Sequence, residues 1–73
     1  MNIILHDETL EAAQNYKRSE AKLIEKLIKT DESKNFAYYG MPSLFQYCMD
    51  YLGLSESEAY RFTQVSRKAV EVP

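Results

Sequence analysis

The sequence predicts an all-α domain, a small bundle of three to four helices that ends in a helix-turn-helix-like hairpin. Two observations carry this. Apolar residues recur at helical spacing, most tightly at Leu23, Ile24, Leu27 and Ile28. Capping residues and glycines punctuate these series: Asp7, Ser43 and Ser55 stand before them, Gly40 and Gly53 after.

The first helix is expected over residues 7–29. Asp7 serves as its N-cap, and Glu8 and Glu11 complement the positive end of the helix dipole. Leu10, Ala13, Tyr16, Lys17, Glu20 and the Leu23–Ile28 stripe follow the helical period, with charge interrupting the middle. Glu25 and Lys29 stand four apart in the favourable order. Residues 31–39 show no strand alternation, and Gly40-Met41-Pro42 reads as a stop, so a short helix is expected over 33–39 with Phe36 and Tyr39 turned inward.

The third helix is expected over 43–52, capped by Ser43. Leu44, Phe45, Tyr47, Cys48, Tyr51 and Leu52 make it apolar almost all round, as in a helix packed on several sides. Gly53 ends it and Leu54 packs inward. The last helix spans 55–70, where Ser55 and Glu58 have the spacing of a capping box, in which two unpaired backbone amides are satisfied reciprocally. Ala59, Phe62, Val65, Ser66 and Ala69 are its expected buried side. Arg61, Gln64 and Lys68 share the outer side, with Tyr60 and Arg67 beside them.

Size and composition narrow the function classes. Residues 1–73 make a single helical domain. A chain of this length buries only about 60% of its unfolded surface, so it leans on tight packing, a partner or a longer protein. Cys48 is alone and cannot form an internal disulfide. One histidine, His6, and one cysteine, far apart, do not make a metal-ligand set, and no cofactor or small-molecule substrate is indicated. No apolar run approaches the roughly 20 residues of a membrane span, and the opening Met1–Leu5 is too short for a signal-peptide core. The expectation is a cytoplasmic protein. Val72-Pro73 reads as a cut after a helix rather than a designed terminus.

No catalytic constellation is present. His6 beside Asp7 has no nucleophile near it in sequence and is expected at the surface. Cys48, between Tyr47 and Met49-Asp50, lacks a cation to activate it and reads as a small buried hydrophobe. The six tyrosines invite a stacking surface for single strands. Without a flanking cationic groove, Tyr39, Tyr47, Tyr51 and Tyr60 read better as core or interface residues with wet hydroxyls.

The net charge of −2 excludes a generally basic nucleic-acid binder, so any DNA contact must be local. Between Ala59 and Val70 the charged residues are Arg61, Arg67 and Lys68, with no acid among them. Residues 43–70 have the order of a helix-turn-helix, in which the second helix enters the major groove. Arginine reads guanine, glutamine reads adenine and lysine holds phosphate, which suits Arg61, Gln64 and Lys68. Glu56 and Glu58 at the start of that helix would repel phosphates. The plainer reading is a helical hairpin with a polar outer face.

The run Gly40–Arg61 carries a resemblance. Gly40, Ser43-Leu44-Phe45 with Tyr47-Cys48, Leu52 with Leu54-Ser55, and Ala59-Tyr60-Arg61 resemble the N-terminal helical region that precedes the nuclease domain in a family of bacterial HNH-endonuclease proteins. The family's arginine-rich stretch closing on proline corresponds to Ser66–Pro73, which is less basic here. The resemblance implies a non-catalytic N-terminal accessory module, with the histidines, asparagine and metal of catalysis in a downstream domain. DNA contact would fall to Tyr60, Arg61, Gln64, Arg67 and Lys68. The alternative is a protein-interaction or homodimerisation module without nucleic-acid binding, so double-stranded DNA and a second copy of the chain are the two partners to weigh.

Overall fold

The computed structural model describes residues 2–16 and 18–71, with side chains through Ala69. Four α-helices and one 3₁₀ turn follow one another: α1 (Ile3–Gln14), α2 (Glu20–Ser33), the 3₁₀ turn Asn35–Tyr39, α3 (Leu44–Asp50) and α4 (Glu56–Glu71). This is a small all-α bundle. Among the described residues there is no strand.

The single long helix expected over 7–29 is two helices. Asn2, not Asp7, caps α1: its side-chain oxygen accepts from the Leu5 amide at 2.8 Å. Asn2 is itself pinned across the bundle, where its amide donates to Asn35 Oδ1 and its carbonyl accepts from Asn35 Nδ2, both at 2.9 Å. That anchor lets the helix begin four residues earlier than its acidic turn suggests. The break follows Gln14. The Asn15 side chain donates back to the Glu11 carbonyl at 3.0 Å, and Ser19 Oγ accepts from the Lys22 amide at 3.3 Å, starting α2 afresh. Asn and Ser favour such local bonds over a helix interior, which is why charge alone did not mark the break. Lys17, Val72 and Pro73 lie outside the described residues.

α2 ends at Ser33 and not near Lys29. Lys34 takes a left-handed conformation (φ 54°), and its amide bonds the Asp31 carbonyl. The expected 33–39 helix is a 3₁₀ turn closed by Gly40 (φ 78°), with Phe36 buried and Tyr39 half-buried as anticipated. Ser43 caps α3 through the Gln46 amide at 3.1 Å. α3 stops at Asp50, two residues early, because Tyr51 and Leu52 both turn back to the Tyr47 carbonyl. Ser55 and Glu58 make the capping box: Glu58 N donates to Ser55 Oγ at 3.2 Å and Ser55 N to Glu58 Oε1 at 3.1 Å.

The core is centred on α2. Leu23 and Leu27 are fully buried and meet Ala12 and Ala13 of α1, Leu44, Tyr47 and Cys48 of α3, and Ala59 and Phe62 of α4, with Leu54 and Phe36 at the margins. Each large apolar side chain so buried stabilises the fold by about 1.5–3 kcal/mol before the entropy of ordering is counted. On α4 the inward side is Ala59, Phe62, Thr63 and Ser66, whereas Val65 and Ala69 are exposed. The helical period explains the correction: Thr63 stands four residues from Ala59 on the same face, while Val65 falls about 110° from the centre of that face.

Candidate nucleic-acid interface on the last helix

α4 is long enough to carry two faces. Tyr60, Arg61, Gln64, Arg67 and Lys68 are all exposed, so the structure brings the five sequence-derived candidates together on the outer side of one helix. They are not equivalent. Arg61 Nη1 lies 2.6 Å from Glu20 Oε1 at the start of α2, and its guanidinium sits 4.5 Å above the Phe62 ring. Arg61 is therefore oriented by its own protein, although an ion pair half-open to water holds it weakly. Among the side chains described, which end at Ala69, Arg67 and Lys68 meet no carboxylate. Gln64 stands between these cations and Tyr60.

The opposite end of the same helix is acidic and aromatic. Glu56, Ser57 and Tyr60 of α4 line a shallow cleft of about 250 Å³ with Phe45 of α3. Glu58 turns back into the capping box, leaving Glu56 as the outward acid of the first turn. A second groove, about 390 Å³, runs between α1 and α2, where Glu8 and Glu11 face Arg18, Lys22 and Lys26. Lys26 is already paired there with Glu8 at 3.3 Å.

The residues that sequence reasoning missed lie elsewhere. His6 is buried, not at the surface. Its Nδ1 lies 2.7 Å from the Tyr47 hydroxyl, and its ring stacks on Tyr39 with centroids 3.8 Å apart. Tyr51 closes the cluster edge-on to His6 at 5.2 Å and donates its hydroxyl to the Tyr39 carbonyl at 3.0 Å. The Tyr47 hydroxyl is thus dry, contrary to expectation, and the Tyr39 hydroxyl is buried with no hydrogen-bond partner among the described residues. Burial raises the Tyr47 phenol well above its ordinary value, and neighbouring Tyr39 adds to the shift. Burial likewise pushes the Cys48 thiol up to about 11, with Thr63 offsetting part of it. A thiol so raised is inert at neutral pH.

Burial holds the Tyr39 and Tyr47 phenols toward the neutral form, and among the described residues the only side-chain hydrogen bond of His6 is to Tyr47. Among the described residues no three histidine, cysteine or acidic side chains come together as a metal site would require, and no helix is long and apolar enough to cross a membrane.

Compared with family models, with curated proteins and with solved structures, the chain shows no match.

Proposed function

We propose that the chain is a non-catalytic accessory module, of the kind its resemblance to HNH-endonuclease proteins implies, that contacts double-stranded DNA through α4 in the bacterial cytoplasm. One observation carries the reading: Gln64, Arg67 and Lys68 lie exposed together on the C-terminal half of a 16-residue helix, and no acid up to Ala69 is paired with the two cations. Lys68 and Arg67 would hold phosphates and Gln64 would reach a base edge. Arg61 can join them by leaving Glu20, an exchange of one exposed ion pair for another. Glu56 and Glu58 keep the N-terminal turn away from the backbone, so the duplex meets the last two turns and not the first.

The test is fluorescence anisotropy with a labelled duplex across a salt series. Wild-type binding should weaken steeply with salt, and Arg67→Ala with Lys68→Ala should lower the slope of log affinity against log salt by about two. Absence of binding at low salt overturns the reading.

A further inference from the structure

The outer face of α4 is complementary to itself. Glu56, Tyr60, Gln64 and Lys68 are spaced by four, so they form one ridge that crosses the helix surface obliquely, inclined about 26° to the axis, acid and aromatic at one end and amide and cation at the other. A twofold axis at residue 62 that lays a second, antiparallel α4 across the first at about 50°, ridge beside ridge, maps Glu56 onto the neighbour's Lys68 and Tyr60 onto its Gln64. Arg67, adjoining the row, then faces the neighbour's Ser57 and Glu56.

We propose that this face pairs two copies of the chain, α4 against α4, in an antiparallel and isologous contact. The cleft between Phe45 and Tyr60 supplies what a purely ionic contact lacks. It is lined by two aromatic residues and an acid, Phe45, Tyr60 and Glu56, the groups that can hold a lysine or arginine by ring face, aliphatic stem and charge together. The occupant is named by the row itself, since the cations that fit the cleft sit at the matching distance along the same helix. Tyr60, 60% exposed in the single chain, becomes the central anchor. One helix pair is a small contact, so the dimer is transient and forms at high chain concentration. The pairing does not rest on the DNA reading, but it uses Arg67 and Lys68, so dimer and duplex exclude each other on this face.

The decisive experiment is sedimentation velocity on the full chain at rising concentration, with circular dichroism to confirm that each variant stays helical. Wild type should move toward twice the chain mass. Glu56→Lys alone and Lys68→Glu alone should each remain at the single-chain mass, because each sets like charges opposite one another. An equimolar mixture of the two variants, and the double variant by itself, should recover the dimer. A wild type that stays at the single-chain mass at low salt, or single variants that associate as well as wild type, overturns the proposal. The DNA reading fails separately: Glu56→Lys abolishes the dimer yet should strengthen duplex binding.

Discussion

His6 and Tyr47, 41 residues apart, are joined by a 2.7 Å contact between imidazole Nδ1 and phenol oxygen inside the bundle. Tyr47 is fully buried and offers its hydroxyl to no other described side chain, so each group depends on the other for its polar satisfaction. A buried polar atom left alone costs about 1–3 kcal/mol. Tyr47→Phe is therefore expected to lower stability by that amount while preserving packing, read as a drop in urea midpoint with an unchanged slope. His6→Phe combined with Tyr47→Phe removes both polar atoms, and its cost should fall below the sum of the single changes.

Ser66 presents the opposite case. Its hydroxyl is fully buried on α4 and has no hydrogen-bond partner among the described residues. Ser66→Ala removes that penalty and adds helix propensity, so it should raise stability by about 1 kcal/mol. In a domain of this size such a gain lifts the thermal midpoint by roughly 4–8 °C. A midpoint that falls instead would show that the hydroxyl is satisfied.

Alkaline pH should unfold the protein earlier than its carboxylates and lysines suggest. Burial in the native state pushes the Cys48 thiol from its ordinary value of 9.0 up to about 11, with Thr63 offsetting part of the rise. A folded value above the unfolded one means that the unfolded chain releases its proton first, so this contribution to stability is full below pH 9 and lost as pH climbs toward 11. The shift corresponds to roughly 3 kcal/mol at most. Tyr47, also raised, extends the loss above pH 10. Urea midpoints should stay level to pH 9 and then fall, and Cys48→Ala should flatten the first part of that fall.

Much of the fold was legible because it was written locally. The capping box at Ser55 and Glu58, the Ser43 cap and the Leu23–Leu27 stripe all act within one or two turns, and each forms as the sequence predicts. The α1–α2 break was not legible, since Asn15 and Ser19 interrupt the helix through side-chain bonds that helical periodicity does not register. His6 was misplaced for a different reason. Its partners Tyr39, Tyr47 and Tyr51 come from beyond α2, and no local pattern distinguishes a histidine that will meet a phenol from one that will meet water. On α4 the exposed candidates could be read from the period alone, while the engagement of Arg61 by Glu20 depends on the break that brings the start of α2 beside it.

The seam that holds α1 has one further consequence. Its inward residues are Leu5, His6, Thr9, Ala12 and Ala13, only one of them a large aliphatic, and its outer turn leaves Ile3 and Ile4 in water. The heavy apolar packing lies among α2, α3 and α4. Hydrogen bonds at Asn2–Asn35 and His6–Tyr47 fix where α1 sits, whereas Leu27 and Phe62 are held by apolar burial. The bundle thus joins its helices in two ways, large apolar side chains among α2, α3 and α4 and small or polar ones for α1, so amide exchange in α1 is expected to be faster than in α2.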